Sequence, residues 1–163
     1  MGKTTDDTGT GPDTPLLVDL PVQAAWVARA LRGDGYRADF TPASLIEVER
    51  FMTANSDRGS AVAGSPLAER LGAVLFAVGA YVGETVRRAA GGTWEADDDD
   101  PRGEVNVALR LPDGSVVRPV RRVVKRFVNG PEDSLVAYAE GLGLRLPASG
   151  PRPRWWSRIS RRP

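Results

Sequence analysis

Leu71-Gly-Ala-Val-Leu-Phe-Ala-Val-Gly-Ala-Tyr-Val82 is an uncharged run bracketed by Arg70 and Glu84. Its apolar residues cover nearly every face of a helix, the pattern of a helix buried on several sides. Twelve residues fall short of the roughly 18–20 needed to span a bilayer. Upstream, Ser65-Pro66 supplies a cap and a proline at the first helical position, so one long helix is predicted from there to about Arg88, stopped by Gly91-Gly92. Gly72, Gly79 and Gly83 each lower helix propensity, which predicts close approach of another backbone. A membrane-dimer reading of Gly79-x-x-x-Gly83 requires an apolar 20-mer, and none surrounds it.

After Gly92 the hydrophobic period changes from 3.6 to 2. Thr93-Trp-Glu95 reads as a short strand. Glu104 to Leu111 reads as a second, with Val105, Val107, Leu109 and Leu111 on one side and Glu104, Asn106 and Arg110 on the other. Pro112-Asp-Gly-Ser115 is a turn in which Gly114 accepts positive φ, and Ser115–Arg118 pairs back. A three-stranded antiparallel meander packed on the central helix follows. Pro119 then starts an amphipathic helix with Val120, Val123, Val124, Phe127 and Val128 on its apolar stripe, ended by Asn129-Gly130. Pro131 starts a last helix carrying Leu135, Val136, Tyr138, Ala139 and Leu142.

Toward the N-terminus, Thr41 is read as a cap with Pro42 behind it, opening a helix through Leu45, Val48 and Met52. Asp19 and Pro21 mark the start of a first helix whose apolar positions are Val22, Ala25, Trp26 and Ala30, ending at Gly33-Asp-Gly35. Asn55–Gly64 reads as a loop. The expected fold class is α+β: a disordered tail over 1–15, one domain over 16–146, and an Arg/Trp-rich tail over 147–163.

The string Gly79-Ala-Tyr-Val-Gly-Glu84 through Gly91-Gly-Thr-Trp94, with Asn129-Gly-Pro-Glu-Asp-Ser-Leu135 later and Phe40-Thr-Pro-Ala-Ser-Leu45 earlier, resembles a group of small uncharacterised bacterial domains, many from actinobacteria. Their marks are a G-x-Y-x-G-E…G-G-x-W passage from helix to strand and a late N-G-x-E-D-S-L segment. The resemblance covers positions 40–145 and implies the same architecture; it implies no activity, cofactor or site residue.

Composition narrows the chemistry. The 163 residues include no cysteine and no histidine. Disulfides, thiolate metal sites and Ser-His or Cys-His nucleophile pairs are therefore excluded for this chain. Lysine occurs twice, at Lys3 and Lys125. The formal charge of +1 conceals an asymmetry. Residues 147–163 hold five arginines and no acid, leaving 17 cations against 21 acids, a formal −4, over 1–146. Such asymmetry speaks to partners and says nothing of the fold. The N-terminus lacks a basic segment followed by an apolar one, so a cytoplasmic location is expected, with peripheral attachment to the inner membrane face as an extension.

Four clusters invite a functional reading. Asp97-Asp-Asp-Asp100 offers oxygen ligands but lacks the spaced pattern of a calcium loop, so a solvated loop is expected and no metal or cofactor is assigned. Glu84, Arg88 and Trp94 could rim a pocket, although Glu84 with Arg87 and Arg88 also makes an ordinary intrahelical ion pair, and no catalytic residue is assigned. Arg121, Arg122, Lys125 and Arg126 form a basic face opposite the apolar stripe of their helix. The tail residues Arg152, Arg154, Trp155, Trp156, Arg158, Arg161 and Arg162 combine cations with aromatics, which suits anionic lipid or nucleic acid. The expected function is a non-enzymatic domain that binds another protein. The alternative is attachment of the tail to an anionic membrane surface or nucleic acid, and the third reading is an enzyme using Glu84 and Arg88.

Overall fold

The computed structural model describes residues 15–97, 99–100 and 103–147. Helices α1 (Pro15–Gly33) and α2 (Ser44–Asn55) come first, followed by a minimal hairpin of β1 (Ser56–Asp57) and β2 (Ser60–Ala61). Next come α3 (Pro66–Glu69), α4 (Leu71–Ala90), β3 (Thr93–Glu95), β4 (Ala108–Arg110) and β5 (Val116–Val117). Helices α5 (Pro119–Asn129) and α6 (Leu135–Gly141) complete the order, with short 3-10 turns at Glu104–Asn106 and Pro131–Asp133. The sheet is antiparallel in the order β3-β4-β5, so the α+β class and the meander stand as expected.

Every residue of α4 from Val74 to Val86 is buried. Helices α1 and α5 both pack against it. Glycine makes the close approaches of α5 and β3 possible. A Cβ on Gly79 would sit 2.5 Å from the Val120 Cα of α5, and one on Gly83 would collide with the Trp94 indole. Gly72 differs: its Cβ position is open, so no close packing explains it. In the sheet Trp94 opposes Leu109, and Leu109 opposes Val117. Gly114 takes φ +86° in the turn, where Leu111 N–H donates to the Ser115 carbonyl at 2.8 Å.

Several boundaries depart from expectation, each for a local reason. Helix α1 starts at Pro15, ahead of Asp19, and carries Pro21 in its interior. An interior proline costs about 3 kcal/mol, which burial of Leu20, Ala24, Val27, Ala28 and Leu31 offsets. The face expected to be buried, Val22, Ala25, Trp26 and Ala30, points instead to solvent. Thr41 does not cap α2: its N–H and hydroxyl both donate to Asp39 Oδ1, and the helix begins at Ser44. Arg70, at φ −144° and ψ 58°, splits the predicted long helix; Ser65 caps only α3, accepting from Ala68 N–H at 3.2 Å. Residues 56–61 pair as a hairpin within the expected loop, because Arg58 (φ 41°) and Gly59 (φ 88°) adopt the two positive φ angles of a two-residue turn.

Val105 sits in a 3-10 turn and is exposed, whereas Val107, Leu109 and Leu111 are buried as expected. Val128 of α5 is likewise exposed. Pro131 opens a 3-10 turn, and α6 begins four residues later with Ser134 accepting from Ala137 N–H. Among the described residues no helix is long and apolar enough to cross a membrane. The expected tail over 1–15 lies outside the described residues except for Pro15, which is helical; the tail arginines and tryptophans 152–162 lie outside them entirely.

Candidate functional site

The residues singled out in the sequence separate into three places. The first is the junction of α4 and β3. Glu84 is buried; its Oε1 accepts from Trp94 Nε1 at 2.7 Å and from Arg87 Nε at 2.9 Å, and its Oε2 accepts from Arg87 at 3.0 Å. Arg88 approaches Oε2 at 3.7 Å. Burial pushes the Glu84 carboxyl up, but the hydrogen bonds from Arg87 and Trp94 and the two arginine charges outweigh it, holding the group below the usual carboxylate range. That is the wrong direction for a general base at neutral pH. The Trp94 ring itself fills the space beside Gly83, where a pocket rim was expected. The cluster braces the strand on the helix.

Arg88 extends the brace. Its guanidinium lies 3.8 Å from the Phe40 ring centre, and Phe40 stacks on Tyr81 at 4.6 Å. The Tyr81 hydroxyl accepts from Phe40 N–H at 3.0 Å and lies 2.6 Å from Ser44 Oγ. Ser44 gives its only hydroxyl proton to the Thr41 carbonyl, so Tyr81 donates to Ser44. Phe40, at φ +60°, is held in a left-handed conformation that a bulky residue rarely adopts. The loop before α2 is thereby fastened to α4.

The second place corrects the basic face. Arg126 is buried at 1% exposure and takes no part in a surface patch. Its Nε donates to Glu49 Oε1 at 2.6 Å and a terminal nitrogen donates to Thr53 Oγ1 at 3.0 Å. Glu49 Oε2 accepts from the Leu135 amide at 2.9 Å. One carboxylate thus ties α2, α5 and the first residue of α6 together. Position 126 lies three residues past Val123 and seven past Pro119, both buried, so it shares their face.

The third place is a groove of about 430 Å³ walled by Val116 and Val117 of β5, by Arg118, Arg121, Arg122 and Lys125 along α5, and by Tyr138 of α6. It collects three of the four residues of the expected face and adds Arg118 and Tyr138. The helical spacing of 118, 122 and 125 was the available signal for Arg118. No such signal links Tyr138, which α6 carries in from the far side of a turn. Arg122 pairs with Asp133 at 3.2 Å and lies 5.2 Å from the Tyr138 ring centre. Its Nε and the Tyr138 hydroxyl are both buried and find no hydrogen-bond partner among the described residues. Burial pushes the Tyr138 phenol up to about 12 against the opposing pull of Arg122, so the hydroxyl stays protonated and is a donor at neutral pH.

Among the described residues Arg118, Arg121 and Lys125 enter no ion pair. Arg118, Arg121 and Arg122 stand at the N-terminal end of α5, whose first turn holds no acid. The helix dipole is positive there and disfavours cations by a few tenths of a kcal/mol each, about 0.3–1 at exposed sites. Arg122 is balanced by Asp133, whereas Arg118, Arg121 and Lys125 give the groove positive potential that no acid among the described residues neutralises. No three His, Cys, Asp or Glu side chains converge on a metal-sized space among the described residues. Asp97 Oδ1 instead accepts from the Asp99 amide at 3.0 Å, closing a local turn. Compared with known proteins, the chain matches no protein-family model, no curated protein and no solved structure.

Proposed function

We propose that this chain is a non-enzymatic interaction domain that holds an acidic segment of a partner protein in the groove between β5, α5 and α6. The observation that carries this reading is the cluster of Arg118, Arg121 and Arg122 at a helix end whose dipole opposes them, continued along the groove by Lys125. A bound carboxylate relieves that opposition and supplies an acceptor to donors the fold leaves unmatched. The walls favour a peptide over a bare polyanion: Val116, Val117 and the Tyr138 ring offer apolar contact beside the cations. The formal −4 of residues 1–146 also works against a long nucleic acid lying across the rest of the body.

Fluorescence polarisation with a labelled Asp/Glu-rich peptide containing one aromatic residue tests the reading. The wild-type chain is expected to bind, with affinity falling as salt rises. The double variant Arg121→Glu/Lys125→Glu is expected to lose binding while keeping its melting transition. Binding that persists in this variant, or that vanishes only when residues 147–163 are deleted, would move the function from the groove to the Arg/Trp tail and its lipid or nucleic-acid reading.

A further inference from the structure

The outward face of α1 is unlike the exposed face of an ordinary packed helix. Val18, Val22 and Trp26 follow one another at i, i+4 and i+8 and are 55%, 61% and 44% exposed. Ala25 and Ala30 are exposed beside them, while Leu20, Ala24, Val27, Ala28 and Leu31 pack on the core from the opposite side. The helix is thus apolar on two faces, and among the described residues only one is covered. Three exposed charged residues lie on the helix, Asp19 near its start and Arg29 and Arg32 near its end; Arg32 donates to the Ala38 carbonyl, and none of the three is in an ion pair among the described residues.

We infer that this face pairs with the same face of a second copy of the chain, the two α1 helices running antiparallel about Ala24. The register follows from the positions. A two-fold axis at Ala24, the midpoint of Pro15–Gly33, sets Val22 against the second copy's Trp26 and Val18 against its Ala30. The same axis sets Asp19 against the second copy's Arg29, twice by symmetry. A parallel pairing instead brings Arg29 to Arg29 and Asp19 to Asp19, which repel. Self-complementary charge and apolar stripe therefore select one orientation and one partner. A helix of 19 residues is about 28 Å long, so the contact is at the small end of specific interfaces and the dimer is expected in the micromolar range.

Sedimentation velocity of the full chain over a concentration series from about 1 to 500 µM reads the equilibrium directly. The wild type is expected to shift from monomer to dimer, and Val22→Glu to raise the dissociation constant at least about tenfold with an unchanged melting transition. Asp19→Arg and Arg29→Asp are each expected to weaken the dimer, and the double variant to restore it. A chain that stays monomeric throughout overturns the inference, as does a dimer indifferent to Val22→Glu or a double charge swap that fails to recover. Monomeric protein that binds anionic vesicles through Val22 and Trp26 overturns it too, and assigns the face to lipid.

Discussion

Arg126→Ala, set beside Lys125→Ala, separates a buried clamp from a solvated charge at adjacent positions. Arg126 is fully buried between Glu49 and Thr53, and Glu49 also receives the Leu135 amide. Removing one partner of a buried pair leaves the other charge uncompensated, at a cost of about 3–5 kcal/mol. The Glu49 side chain keeps 18% exposure and its bond to Leu135, which places the expected loss near the lower figure, about 3 kcal/mol. With a urea slope of about 2 kcal/mol/M, the unfolding midpoint should fall by roughly 1.5 M at unchanged slope. Lys125 is exposed, and its truncation should stay within about 0.5 kcal/mol. Urea titrations followed by far-ultraviolet circular dichroism measure both. Equal, small losses would show that Arg126 is solvated and that the Glu49 clamp does not hold α2, α5 and α6 together. Glu49→Gln should destabilise at least as much as Arg126→Ala, because it strands the more deeply buried Arg126 charge and, with its oxygen accepting from Leu135, turns an amide donor toward the guanidinium.

Other consequences concern glycine and acid. Gly79→Ala should cost several kcal/mol, since its Cβ meets the Val120 backbone, whereas Gly72→Ala, in open space at a helical position, should stabilise by about 0.5–1 kcal/mol; thermal denaturation distinguishes the two signs. The depressed Glu84 carboxyl contributes stability that is present above its unfolded pKa and is lost as pH falls through its lower folded value. A pH series of urea midpoints should therefore decline on the acid side for wild type, and less so for Glu84→Gln. Asp39, drawn from 3.8 to about 2 chiefly by the Thr41 hydroxyl and then by Arg37, follows the same sign between those values. Its proton-linked chemical shift should titrate near pH 2, and Thr41→Val should move that midpoint upward.

Where local pattern and tertiary packing agreed, the sequence was readable. The all-round apolar run 74–82, the Gly91-Gly92 stop, the Asp113-Gly114 turn and the α5 stripe through Val120, Val123 and Phe127 each had one dominant cause. Legibility failed where two causes competed. In α1 both faces are apolar, so periodicity alone could not choose the buried one, and Pro21 suggested a helix start that packing on α4 overrides. Thr41 had the composition of a cap, but Asp39 takes its donors. The Arg58-Gly59 turn lacks the Asn-Gly or Asp-Gly pair that usually announces a two-residue hairpin. Arg126 carried the charge of a surface residue at a core position, and its partner Glu49 is 77 residues away in sequence. The groove was half legible for the same reason: Arg121, Arg122 and Lys125 share a helix, whereas Tyr138 and β5 reach them only through the fold.

Two-dimensional amide NMR of the full chain, titrated with the acidic peptide, reads residue by residue where the peptide sits. Saturable shifts are expected at residues 116–125 and around Tyr138, and are expected to be absent from the Arg121→Glu/Lys125→Glu variant. Shifts confined to residues 147–163, or scattered without saturation, would contradict binding in the groove.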